Sequence, residues 1–409
     1  MDSTSVRTLS SLLCILVLIV LLPSRVSGLG HTHIAREPLP DLVPNGVVHD
    51  ISQLSHTENR SGLVVSGKDL SKLDLRTHPD LVTRLTFSDT TLWPTESALP
   101  PGWDRQRVME LGRSPGLGVH SLHERGITGR GVGIGIIDGP LLVSHREYQD
   151  RLRHYEEIGI RPYHAAVMHS CGVTSIAAGA EIGVAPQADV YFVAVNFGRR
   201  DESGNHVGYV DIAEAIRRLV TINERLPRRR KIRTISISRG WNAGETGTYE
   251  LLNAIAEADE AGIFVVTTAV EVTHGFPIHG LGRNPLANPE SIRSYGIADS
   301  WKQWVESGEW HPARMLFPME SRTIASETGA DDYTFTRYAH TSWVVPYIAG
   351  LYALAAQVDA SITPGVFISA LRETGVPLVH GIDGDSDELG SVVDPIRAMD
   401  LIADRKLRR

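Results

Sequence analysis

The chain has 409 residues, 42% of them apolar and 22% charged. That is material for one large domain or two medium ones with a sizeable core, and it excludes a disordered chain. A formal net charge of −8 and a pI near 6.1 supply no global field toward nucleic acid or anionic membranes.

The N-terminus reads as an export signal rather than as fold. Leu12 to Leu22 is an unbroken apolar run of 11 residues, with Arg7 before it and Val26-Ser27-Gly28 after it. This suits the core of a signal peptide over residues 1–28 and falls short of the ~20 residues of a spanning helix. The expectation is a secreted protein without stable membrane association; a retained anchor is the alternative. Cleavage near Gly28 removes Cys14 and leaves Cys171 as the remaining thiol, so no internal disulfide is available. Asn59-Arg60-Ser61 is a glycosylation sequon only in a eukaryotic host.

Residues 29–105 are mixed and Pro-containing, with short strands expected at Leu63-Val64-Val65 and Leu81 to Phe87. They form either a removable pro-region or a permanent extension of the main domain. From residue 106 to 409 the pattern changes. Apolar runs of strand length occur at Val132–Ile137, Val190–Val195, Thr234–Ile237 and Ile263–Thr268, with helical patterns at Ile212–Leu226 and Tyr249–Ala261 between them. Apolar strands alternating with helices predict an α/β fold, a doubly wound, mostly parallel sheet covered on both faces in three α/β/α layers. Ligands of such sheets bind beyond the carboxyl ends of the strands, where Asp138 stands. The basic run Arg228 to Arg233 reads as a solvated loop feeding a strand.

Three motifs carry the chemistry. Asp138 ends a buried strand and precedes Gly139-Pro140. His169 opens a segment of small residues running to Gly179, and Ser342 leads an apolar stretch to Val358. An Asp that orients a His, a His that serves as base and a Ser that attacks are the parts of a nucleophilic triad. A His at a helix N-terminus feels the positive end of the dipole, which favours the neutral imidazole. Pro346 has no N–H to offer the Ser342 carbonyl, so the first turn cannot close normally at the serine. The backbone N–H groups there are then free to face an oxyanion.

With their flanks, these motifs resemble the subtilisin (subtilase) family of serine peptidases. The stretch Gly129 to Asp138 resembles the family's aspartate motif. His169 to Gly179, followed by Gly183-Val184-Ala185-Pro186, resembles its histidine helix. Thr341-Ser342 with Pro346 and Ala349-Gly350 resembles its serine motif. The order Asp, His, Ser is also that of subtilisin-type hydrolases. The resemblance covers about residues 106–402 and implies Asp138 as orienter, His169 as base and Ser342 as nucleophile. It further implies Thr341 and Ser342 at the oxyanion, and Ser238-Arg239-Gly240 as the segment that binds substrate backbone. The expected function is a secreted endopeptidase whose partner is a polypeptide substrate, with no nucleic acid and no organic cofactor. The resemblance allows calcium, but no metal ligands are identified.

The chain departs from the family around the chemistry. Glu271 falls where the family carries an oxyanion Asn, and His340 stands where a Gly usually precedes the Thr-Ser pair. An ionised Glu donates nothing to an oxyanion, and loss of one such donor costs about 10²–10³ in rate. The rival expectation is therefore a catalytically impaired chain of the same fold that binds peptides or proteins; a one-residue slip leaving Glu271 on the surface is the other alternative. Cys171 reads as a buried helix residue, and Asp383 to Glu388 as an acidic hairpin. Trp301, Trp304 and Trp310 read either as one cleft wall or as core.

Overall fold

The computed structural model describes residues 32–42, 46–56, 62–200, 208–382 and 385–408, which belong to one compact unit. The expected signal-peptide segment with Cys14, the Asn59 sequon and Asp383 lie outside the described residues. No described helix is long and apolar enough to cross a membrane.

Six parallel strands form the central sheet: β1 (His33–Ile34), β2 (Gly133–Asp138), β3 (Leu152–Ile158), β4 (Asp189–Val195), β5 (Ile232–Ile237) and β6 (Phe264–Thr267). Their spatial order is β1-β3-β4-β2-β5-β6. Alternate side chains serve opposite faces. Val190, Phe192 and Ala194 join one core with Ile134 and Ile136, while Tyr191, Val193 and Val195 join another with Ile137. Both cores are apolar, which is why these strands read as near-continuous hydrophobic runs.

Helices α1 (Met168–Ala178) and α4 (Val344–Val358) cover the first face; α2 (Gly208–Arg225) and α3 (Thr248–Glu260) cover the second. The architecture is a three-layer α/β/α sandwich. After β3 the chain returns through α1 to β4 and then crosses beyond β2 to β5, so the winding reverses around β2. The carboxyl end of β2 is thus a topological switch point, the place where open sheets bind ligands.

Small residues let α1 and α4 approach. A Cβ on Gly172 would stand 2.9 Å from Ile324 Cδ1 and 3.1 Å from the Trp343 ring; one on Gly350 would stand 2.6 Å from Val184 Cβ and 3.0 Å from the Ala177 carbonyl. Neither position has room for a side chain without a shift of its neighbours.

The N-terminal segment is built into the same unit. Leu63–Val64 pairs in parallel with Leu85–Ser88, which pairs antiparallel with Tyr333–Thr336. The strand expected from Leu81 begins late, because Pro79 opens a 3₁₀ turn over Pro79–Thr83 and the Arg84 N–H closes on the Leu81 carbonyl. Strand Ile232–Ile237 likewise begins two residues before the expected Thr234, inside the basic run. There Lys231 Nζ holds the Asn223 carbonyl at 2.6 Å and Arg233 holds those of Ala360 and Ile362. Near the C-terminus, Val376–Ile382 and Asp385–Val392 pair as an antiparallel hairpin.

Candidate active site

Asp138 closes β2 and is buried. Its carboxylate accepts the Gly139 N–H at 2.8 Å, the Ser170 hydroxyl at 2.9 Å and the His169 Nδ1–H at 2.9–3.0 Å. The side chain of His169 is 35% exposed against 3% for Asp138, so the pair puts an accessible ring over a shielded acid. The other ring nitrogen, Nε2, has no hydrogen-bond partner among the described residues.

Burial draws the His169 pKa down, but the charge of Asp138 and its hydrogen bond more than offset this, so the pKa lies above the usual histidine value. The sequence expectation that the helix dipole would favour the neutral ring is corrected on this point. His169 is the second residue of α1, and a carboxylate in direct contact outweighs a terminus whose effect is ordinarily ~0.3–1 kcal/mol.

Ser342 lies in the 3₁₀ turn Thr341–Trp343 that leads into α4, with His340 at the N-cap. The Trp343 ring packs against His169 with centroids 5.3 Å apart, and its Nε1 donates to the Thr336 hydroxyl at 3.1 Å. The carbonyl that Pro346 leaves without a helical partner accepts the Ser238 hydroxyl at 2.7 Å. In return, the Ser342 hydroxyl donates to the Ser238 carbonyl at 3.4 Å. Asp138 and His169 are therefore joined directly, whereas Ser342 is turned to Ser238 and makes no hydrogen bond to His169. The Ser342 N–H has no partner among the described residues, while that of Trp343 donates to the His340 carbonyl.

Ser238 and Arg239 share a cavity of about 510 Å³ with Asp138, Pro140, Val167 and His169. The Arg239 guanidinium lies over the rings of Phe197 (5.3 Å) and Tyr209 (5.6 Å), and its buried Nε has no hydrogen-bond partner among the described residues. Gly240 backs onto Thr268, where a Cβ would meet the hydroxyl at 2.9 Å.

Glu271 is exposed in the short helix Val270–His274, and its carboxylate has no partner among the described residues. Cys171 is buried in α1, where burial pushes its thiol up to about 12, so it offers no thiolate. Trp301 is fully buried, stacks on Trp310 at 4.0 Å and packs with it and Trp304 around His279. These tryptophans do not line the cavity that holds Asp138 and His169. Two side chains around the pair were missed in the sequence: Ser170, which donates to Asp138, and Trp343, which packs on His169. Each directly follows a candidate site residue, and that adjacency was the signal for both.

No protein-family model and no curated protein sequence matches the chain. Among solved structures, the prenylagaramide maturation protease PagA aligns over 70% of this chain and 98% of its own, at 18% identity and a TM-score of 0.47. The PatG macrocyclase domain aligns over 71% and 95%, at 16% and 0.46. A cold-adapted subtilisin-like serine proteinase aligns over 61% and 83%, at 16% and 0.42. The reading of the site rests on this chain's own residues.

Proposed function

We propose that this chain is a secreted serine endopeptidase of the subtilisin type, acting on polypeptides through an acyl-enzyme. The observation that carries the reading is the Asp138–His169 hydrogen bond at the carboxyl end of β2, with the Ser342 turn packed on the histidine ring through Trp343. Asp138 holds the Nδ1–H tautomer and leaves Nε2 free to take a proton. The reading requires the Ser342 hydroxyl to leave its long contact with Ser238 and turn to that nitrogen; such bonds often form or tighten only when substrate is bound. Ser342 Oγ then bonds to the peptide carbonyl carbon as His169 takes its proton. The proton passes to the leaving amine as the C–N bond breaks, and water, activated by the same histidine, cleaves the ester. The Ser342 N–H donates to the oxyanion in both steps, and Ser238-Arg239-Gly240 lines the substrate's path.

A second reading, a peptide-binding protein with impaired catalysis, comes from the sequence register that puts Glu271 where the family carries an oxyanion amide; Glu271 is exposed, as the one-residue slip also allows. Incubation with an unfolded protein substrate, followed by mass spectrometry of new amino termini, separates the two. Cleavage that disappears in Ser342→Ala supports the peptidase; binding of the substrate without cleavage supports the second reading.

A further inference from the structure

The edge of the central sheet gathers a second group of chemistry-bearing side chains. β1 lies parallel to β3 with His33 opposite His154 and Ile34 opposite Tyr155. Residues two apart on a strand share a face, so Glu156 stands beside His154, and cross-strand pairing adds His33. The two imidazoles stack with centroids 4.9 Å apart. One ligand atom from each of the three residues lies within 4.8 Å of the others. The neighbouring Arg36 and Glu157 form an ion pair at 2.7 Å, which leaves no unmatched charge at that point of the junction.

Two further observations concern how the group is held. His154 is only 7% exposed, and its Nε2, although 3.1 Å from Glu156 Oε2, lacks a partner of hydrogen-bond geometry among the described residues. A buried polar atom without a well-aligned partner is unfavourable, and a bound cation would relieve it. Glu156 Oε1 accepts the Arg218 Nε–H at 2.7 Å, which fixes the carboxylate and leaves Oε2 toward the histidines. Metal ligands are commonly oriented in this way by a residue behind them.

We propose that His33, His154 and Glu156 bind one divalent transition-metal ion, Zn²⁺ by their donor set, and that the ion clamps β1 to the sheet edge. Two imidazoles and a carboxylate suit zinc and are a poor set for calcium, which takes six to eight oxygens. Tetrahedral ligands about 2.0–2.1 Å from zinc stand ~3.3 Å apart. The His154–Glu156 pair already has that spacing, and only the exposed His33 ring has to swing inward. Water completes the coordination. The ion would bridge a two-residue strand to a core strand, so its binding is linked to docking of β1. The Ala35 N–H, which donates to the Tyr155 carbonyl at 3.0 Å, reports that docking.

The test titrates Zn²⁺ into the full, chelator-stripped chain by calorimetry and follows amide exchange at Ala35. With 17 histidines in the chain, the deciding quantity is the difference between wild type and variants. His33→Ala removes the mobile ligand; Glu156→Gln removes the charged ligand but still offers Arg218 an acceptor, so it serves if His33→Ala undocks β1. The expected result is one zinc equivalent in the wild type that either variant weakens about tenfold or more, with zinc slowing Ala35 exchange in the wild type. The same stoichiometry and affinity in all three proteins would overturn the site and leave the cluster as a stacked histidine pair beside a carboxylate.

Discussion

Ser238 and Ser342 exchange hydrogen bonds across the mouth of the candidate site: the Ser238 hydroxyl donates to the Ser342 carbonyl at 2.7 Å, and the Ser342 hydroxyl returns to the Ser238 carbonyl at 3.4 Å. The first bond replaces the helical bond that Pro346 cannot make. The second parks the proposed nucleophile. Ser238→Ala is expected to lower stability by about 1 kcal/mol, the usual net worth of such a bond. It should also lower kcat more than KM, because the turn that aims Ser342 loses its anchor. Urea unfolding together with steady-state kinetics reads both.

The raised pKa of His169 sets the direction of the pH dependence. A general base works neutral, so the acid limb of kcat/KM should have its inflection above the ordinary histidine value of 6.5. Asp138→Asn should move that inflection down and reduce kcat by about 10⁴-fold, as removal of the orienting carboxylate does in other triads. The linked stability has the opposite pH sense to activity. The protonated His169–Asp138 pair contributes fully below the unfolded-state histidine pKa, and that contribution is lost as pH rises through the higher folded-state value. Thermal melts from pH 5 to 9, wild type against His169→Ala, measure it.

Glu271→Asn tests the oxyanion side. An amide there should raise kcat at neutral pH by up to ~10²-fold with KM little changed, because the contact is made mainly in the transition state. An unchanged kcat in the folded variant would mean that residue 271 does not reach the oxyanion.

The contact between α1 and α4 predicts a packing effect independent of chemistry. Gly350→Ala puts a methyl 2.6 Å from Val184 Cβ and 3.0 Å from a backbone carbonyl. Overpacking of this kind costs about 1–3 kcal/mol. It should lower the denaturation midpoint and leave the m-value unchanged.

The central sheet was legible in the sequence because β2, β4 and β6 are buried on both faces and read as runs of apolar residues and glycine. The start of β5 was hidden by Lys231 and Arg233, whose polar ends reach back to carbonyls of neighbouring segments while Ile232 packs in the core. Asp138 and His169 were legible through their places at a strand end and a helix start. Pro346 announced an unpartnered Ser342 carbonyl but not what fills it, since Ser238 lies 104 residues away. The His33–His154 pair was likewise out of reach: parallel pairing of a two-residue strand leaves no local signature, and its register is set by contacts distant in sequence.

The proposed mechanism turns on whether Ser342 is a nucleophile activated by His169. Labelling the folded chain with a fluorophosphonate and mapping the adduct by mass spectrometry tests this directly. The expected result is a single phosphonylated residue, Ser342, with labelling abolished in Ser342→Ala and strongly slowed in His169→Ala. A folded wild-type protein that carries no adduct at Ser342, or one that labels equally fast without His169, would contradict it.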